Sequence, residues 1–274
     1  MIQTLDHKIL SSLKEYLNYR ILKDLQAYKN TTVNFTKYKD DRFTSKNVYG
    51  SSYPFWVYDQ SITSGIPSGI NNINRGTSGL AIDFKNGRII TNTGVNITGS
   101  ITVPVNEFHI YVTTKAESQL INETNYLQLP DLKAATGPLS PDNVILPAIF
   151  LRFLSSVEEP YSLGGVEWAT YNVRVICLTN TINEVVGLQH LIRGLNQRMV
   201  PVLTTTPLNE YNDLKSPNWN YESILENASE KFYIQSASFQ SIQSDMISEK
   251  NPNLQIGIGL IKVAILVQPR YQQL

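Results

Sequence analysis

The sequence is short of charge. Asp, Glu, Lys and Arg make up 17% of its 274 residues, and 23 acidic and 23 basic side chains cancel to a formal net charge of zero. Soluble domains usually carry about 25%. A balanced, thinly charged chain lacks the dense basic face that tracks a nucleic-acid backbone, so no sequence-specific nucleic-acid partner is expected. Cysteine is almost absent: Cys177 is the only one, which excludes an intrachain disulfide. It lies in the apolar run Val173-Arg174-Val175-Ile176-Cys177-Leu178, the setting of a buried, inert thiol rather than a nucleophile. Long apolar runs are missing too. The best, Ile256 to Val267, contains Lys262 and is shorter than the roughly 20 residues that cross a bilayer, so no membrane partner is expected. The first residues, Met-Ile-Gln-Thr-Leu-Asp-His-Lys, have neither the basic start nor the apolar stretch of a signal peptide, which fits assembly in a reducing cytoplasm.

Asn, Ser, Thr, Gln and Tyr stand where charge is missing. Interface cores show this bias, because an unpaired charge is costly to desolvate. An AT-rich coding bias would give the same composition. Hydrophobic residues reach 42%, and a chain of this length buries roughly three quarters of its unfolded surface.

Patterning predicts an α+β fold: a mixed, predominantly antiparallel sheet with an N-terminal amphipathic helix and two or three further helices. The chain reads as a single domain, 1–274, without internal repeats. Leu10, Leu13, Leu17, Ile21 and Leu25 predict a helix over 7–28, ended by Asn30-Thr31-Thr32. The N-terminal segment 1–31 is expected to pack on its own domain or to serve as an arm. Val33 to Tyr38 alternates weakly, and Tyr53-Pro54-Phe55-Trp56-Val57-Tyr58 is an aromatic cluster. Residues 61–78, rich in Gly, Ser and Asn, predict a long mobile loop that orders against a partner. Leu80, Ile82 and Phe84, then Asn86-Gly87, then Ile89-Ile90 predict a two-residue hairpin turn with positive φ at both turn residues. Further strands are predicted at 97–105, 108–112, 148–154, 172–178, 232–242 and 254–267. Capping boxes at Thr114…Glu117 and Thr181…Glu184 predict two helix starts. The second helix should bury Val185, Leu188, Leu191, Ile192 and Leu195. A short helix is expected at 221–229, and a connector over 128–146.

No catalytic, cofactor or metal constellation emerges. His7, His109 and His190 fall in three different elements without metal-ligand spacing. Gly65-Ile66-Pro67-Ser68-Gly69 lacks the lysine of a phosphate loop, and Ser162-Leu163-Gly164-Gly165 is not a nucleophile elbow. Glu158-Glu159 reads as a solvated turn before Pro160, and Asp40-Asp41-Arg42 as a surface loop. The Tyr53 to Tyr58 cluster, with Trp168 and Trp219, could stack on carbohydrate, though core packing explains it more simply.

Three stretches carry a family resemblance. They are Ser78-Gly79-Leu80-Ala81-Ile82-Asp83-Phe84-Lys85-Asn86-Gly87-Arg88-Ile89-Ile90, Phe108-His109-Ile110-Tyr111-Val112-Thr113-Thr114-Lys115, and Pro147-Ala148-Ile149-Phe150-Leu151 with Leu163-Gly164-Gly165 and Thr170-Tyr171-Asn172-Val173-Arg174-Val175-Ile176-Cys177-Leu178. Together, over roughly residues 78–200, they resemble virion structural proteins from the neck and tail of large contractile-tailed phages of the myovirus type, especially phages of marine bacteria. The resemblance implies a non-enzymatic subunit without cofactor. It would form a homo-oligomeric ring at the neck, head–tail connector or tail terminator, contact other phage neck and tail proteins, and reside in the virion after assembly in the host cytoplasm. The alternative is a tail or baseplate adhesin for a host-surface glycan or receptor, which would usually show glycine-rich or β-helical repeats.

Overall fold

The computed structural model describes residues 5–63, 81–97, 99–123, 126–127, 144–160, 167–242 and 254–267. Its larger part is a six-stranded sheet. The strands are β7 (His109–Val112), β10 (Ala148–Pro160), β11 (Glu167–Thr179), β12 (Met199–Pro201), β13 (Lys231–Ile242) and β14 (Gln255–Val267). Their order is β12-β13-β14-β11-β10-β7, antiparallel except for the β10–β7 pair. Alternation along β11 turns Val173, Val175 and Cys177 to one face. There they meet Ile261 and Val263 of β14 and the apolar sides of α1 (Leu5–Asp24) and α3 (Ile182–Arg193). The predicted capping box starts α3: the Glu184 N–H donates to Thr181 Oγ1, and the Glu184 carboxylate accepts from the Thr181 N–H. Val185, Leu188, Leu191, Ile192 and Leu195 are buried as the spacing predicts. The opposite face is covered at one end by Leu120 of α2 (Glu117–Glu123) and by Val144 of β9 (Val144–Ile145), over Phe150, Ile176 and Ile256. β9 pairs with β8 (Tyr126–Leu127).

The smaller part is built from hairpins. β1 (Tyr28–Asn34) pairs with β6 (Ser100–Asn106), and β2 (Thr36–Tyr38), β3 (Lys46–Gly50), β5 (Arg88–Asn92) and β4 (Ala81–Asp83) form a four-stranded sheet in that order. Val33, Trp56, Phe84, Ile89 and Val103 share its core. A fourth helix, α4 (Tyr221–Asn227), is capped by Asn220. The fold is α+β, with an N-terminal helix and mostly antiparallel sheets, as the sequence predicts.

Several local expectations are corrected. α1 spans Leu5–Asp24 rather than 7–28, and Asn30-Thr31-Thr32 does not end it but lies inside β1. α1 buries more than one stripe, including Ser12, Glu15, Tyr16 and Tyr19, because the sheet, α3 and the aromatic segment surround it. The hairpin around Gly87 has four loop residues, since Asp83 pairs with Arg88. Of the two turn residues only Gly87 takes positive φ, at 63°, while the Asn86 N–H and side chain bond to Asp83. The box at Thr114 does not form: α2 begins at Glu117, Gln119 accepts from the Ala116 N–H, and Glu117 pairs with Arg174 at 2.8 Å. Glu158 and Glu159 belong to strand β10, paired with Ala169 and Trp168, not to a turn. The loop over 61–78 lies outside the described residues apart from 61–63, as do 128–143 of the expected connector and the Gly164-Gly165 turn.

Candidate functional site

The described residues cover only part of the face of the six-stranded sheet away from α1 and α3. Beyond the α2 end, four rows of side chains cross the strands. Arg152, Arg174, Leu260 and Ser238 form the first, and Ser155, Asn172, Lys262 and Ser236 the second. Val157, Thr170, Ala264 and Tyr233 form the third, and Glu159, Trp168 and Leu266 the fourth. Bulges between Phe153 and Ser155 and between Ile234 and Ser236 fall at the same level, so the rows stay in phase across the strands. Val157 is 50% exposed and Leu266 48%, both large for aliphatic side chains on a regular sheet. Charge is segregated along this surface. Arg152, Arg174 and Lys262 occupy the two rows nearest α2, while Glu159 stands in the fourth row at the far end; its neighbours Glu158 and Glu167 point to the other face of the sheet. Arg174 is paired with Glu117, whereas Arg152 and Lys262 make no ion pair among the described residues.

The residues singled out in the sequence are not brought together. His7 is exposed on α1, and His190 is exposed on α3. His109 is buried on β7 with neither ring nitrogen hydrogen-bonded, and the Phe55 ring packs 4.5 Å from it. Burial pushes its pKa down to about 3, so it is a neutral ring at ordinary pH. Cys177 is fully buried, and burial raises its thiol pKa. Trp56 is a core residue bridged to Val105, its Nε1 donating to the Tyr53 carbonyl at 2.7 Å. Among the described residues no group of three or more His, Cys, Asp or Glu is placed to hold a metal ion, and no helix is long and apolar enough to cross a membrane.

Sequence reading missed two buried polar assemblies. In the first, the Arg88 guanidinium is 1% exposed and bonds to the Asp83 carboxylate, to Asp40 Oδ2 at 2.8 Å and to the Tyr38 hydroxyl at 2.7 Å. Asp40, expected on a surface loop, therefore ties the 3-10 turn at Asp41–Phe43 to the hairpin. Hydrogen bonds from Arg42, with help from Arg88, hold its carboxyl well below the usual range. The signal was Asp83 facing Arg88 across a short loop. In the second, the Tyr58 hydroxyl donates to Glu15 Oε2 at 2.5 Å. Nearby, Asp59 accepts from the Ser61 N–H and hydroxyl and from the Tyr221 N–H. Burial raises the Asp59 pKa. Every one of these acceptors is occupied by a structural donor, which makes both assemblies ties between segments.

A separate pocket of about 450 Å³ opens beside the β1–β6 ribbon, lined by Lys29, Asn30, Thr31, Thr32, Tyr53, Val105, Asn106 and Glu107.

No protein-family model matches the sequence, and no curated protein matches it as a relative.

Proposed function

We propose that the chain is a non-enzymatic structural subunit of a tailed-phage virion, forming a homo-oligomeric ring at the neck, head–tail connector or tail terminator. The observation that carries this reading is the sheet face that the described residues leave partly open, with basic rows near α2 and Glu159 at its far end. A ring contact is heterologous: one patch on a copy meets a different patch on the next. The basic rows at Arg152 and Lys262 complement the carboxylate of Glu159 at the far end of the same face in another copy. Val157, Trp168 and Leu266 supply apolar area. Complementary charges set register and suppress wrong pairings more than they add affinity, and the buried apolar surface adds roughly 25 cal/mol per Å² before the cost of association. The buried carboxylates and histidine are occupied structurally or enclosed by apolar groups, which leaves no acid–base pair facing a substrate among the described residues. The low overall charge and the resemblance to contractile-phage neck and tail proteins agree with this role.

Sedimentation of the purified chain tests it. The wild type should form a discrete oligomer at high protein concentration. R152E/K262E and E159K should each shift it to monomer, and all three changes in one chain should restore assembly. A wild type that stays monomeric and does not enter particles would sink the structural reading. So would turnover of a polysaccharide, peptidoglycan or nucleotide that one change at His109, His190, Glu158 or Glu159 abolishes.

A further inference from the structure

The pocket beside the β1–β6 ribbon has a ligand-like chemistry that the ring role does not use. One wall is the ribbon itself, Lys29 to Thr32 on β1 and Val105 and Asn106 on β6, closed by Glu107. The other wall is Tyr53. Its backbone is pinned: its carbonyl accepts from the Trp56 Nε1–H at 2.7 Å and the Ser51 hydroxyl at 2.9 Å, and its N–H donates to Ser51 Oγ at 3.2 Å. The ring is therefore presented from a fixed main chain, the preorganisation a binding site needs.

Asn106 is 8% exposed, and its Oδ1 is buried without a hydrogen-bond partner. Such groups are rare in folded proteins; closed to solvent, this oxygen does not open into the pocket.

The chemistry of the lining narrows the ligand. Lys29 and Glu107 put one charge of each sign at the mouth, both exposed and neither ion-paired among the described residues. An anion such as phosphate would meet the Glu107 carboxylate, and a cation would meet Lys29. A flat apolar cofactor would find only Tyr53 and Val105 to stack on and would desolvate the amides and hydroxyls around them. A neutral polyol suits this mixed lining: hydroxyls both donate and accept, so they meet Lys29 and Glu107 alike, while an apolar ring face lies on the Tyr53 ring. We infer that this pocket binds one unit of a neutral saccharide. Its exposed rim at Asn30, Thr32 and Glu107 lets the rest of a glycan chain run out into solvent.

Saturation-transfer NMR on the full chain tests this, with maltotriose and triacetylchitotriose as probes. Saturation should reach the sugar protons of at least one of them. Tyr53→Ala keeps the backbone bonds described above, and Thr32→Trp fills the mouth from an exposed position. Each should weaken that binding at least tenfold while leaving the thermal melt within a few degrees of wild type. Absence of transfer to both trisaccharides overturns the assignment, as does binding that both variants leave unchanged. If Tyr53→Ala alone proves unstable, Thr32→Trp decides the question, because its side chain is outside the core. Ring assembly, read by sedimentation, should be unaffected by either change, so failure here leaves the structural role standing.

Discussion

Beneath α1 and α3, the six-stranded sheet offers Val173, Val175, Ile261 and Val263, and Leu188 descends on them from α3; all are fully buried and none is polar. In the hairpin part, Arg88 and Asp83 lie just as deep, at 1% exposure each, beside Ile82 and Ile89. The difference follows from geometry. α3 and the apolar side of α1 lay wide apolar surface on the sheet, and apolar contact is non-directional, so packing volume decides fit over that area. Three- to five-residue strands in β2 to β5 have too little apolar area to fix their own arrangement. There a directional guanidinium, bonding Asp83, Asp40 and Tyr38, holds the hairpin, the 3-10 turn and β2 in one geometry. A core of the first kind tolerates graded damage. One of the second kind fails when a single partner leaves, because the other charge stays buried and unpaired.

The largest expected effect therefore lies in the hairpin part. Arg88→Ala should cost about 3–5 kcal/mol, the range for breaking a buried ion pair from one side, measured by urea denaturation. Replacing Arg88 and Asp83 together with Met and Leu should recover much of the loss. If Arg88→Ala costs no more than an exposed substitution, the contrast between the two cores is wrong. Acid should also probe this network, because Asp40 is held below its usual range by Arg42 and Arg88. Its contribution is complete above the unfolded carboxylate value near 4 and is lost as pH falls through its lower folded value.

His109 sits at the seam, on β7 of the large sheet with Phe55 of the aromatic segment against it. Its folded pKa of about 3 lies below the unfolded value of about 6.5. The unfolded chain takes up the proton first, so stability is intact above about pH 6.5 and falls as pH drops towards the folded value. The slope is up to about 1.4 kcal/mol per pH unit for one proton. His109→Leu should remove that slope between pH 6 and 4 and leave stability at pH 7 unchanged or slightly higher, since two unpaired ring nitrogens disappear. Melts at pH 7, 5.5 and 4.5 decide it; an undiminished slope in the variant would assign the acid sensitivity elsewhere. Smaller in effect is Gly87→Val. Gly87 has φ 63°, and a Cβ there would lie 2.1 Å from the Tyr53 carbonyl oxygen. Strain alone costs about 1–3 kcal/mol, and the contact places the variant at the upper end. A melting temperature equal to wild type would mean that the Tyr53 segment moves freely.

How legible all this was depended on whether the signal was local. α3 could be read because its cap, its apolar spacing and its strand partner all lie within twenty residues. Ile82 and Phe84 were read as inward from alternation, and both are buried. The sheet face that the described residues leave partly open could not be read. The bulges at Phe153/Ser155 and Ile234/Ser236 switch which residues share a face, so Arg152 and Val157 lie on one side despite their odd separation. Alternation alone places them on opposite sides. The partnerless Asn106 oxygen and the Arg88 network depend on segments brought together from residues 38 to 106, which no local pattern reports.

The smallest expected effect uses two identical motifs as a control. Thr181-Ile182-Asn183-Glu184 and Thr114-Lys115-Ala116-Glu117 both have the spacing of a capping box, but only the first forms one. At Thr181 the chain leaves β11 in extended geometry, with φ −130° and ψ 149°, and Val185 and Leu188 dock at once on the sheet. The helix start is thereby fixed where the threonine can reach the Glu184 N–H. At Thr114 the glutamate is drawn to Arg174, and the glutamine two residues on serves the Ala116 N–H instead, so the helix begins later. Thr181→Ala should cost about 1 kcal/mol, the usual value of a threonine cap. Thr114→Ala should cost less than about 0.5 kcal/mol, as for a surface change away from any special feature. Paired urea melts resolve a difference of that size. Because α3 rests on the apolar sheet with no ionic tie, the Thr181→Ala loss should be graded, without the local collapse expected at Arg88. Hydrogen exchange should show fraying confined to the first turn of α3. Equal losses at the two threonines would mean that neither cap geometry governs its helix.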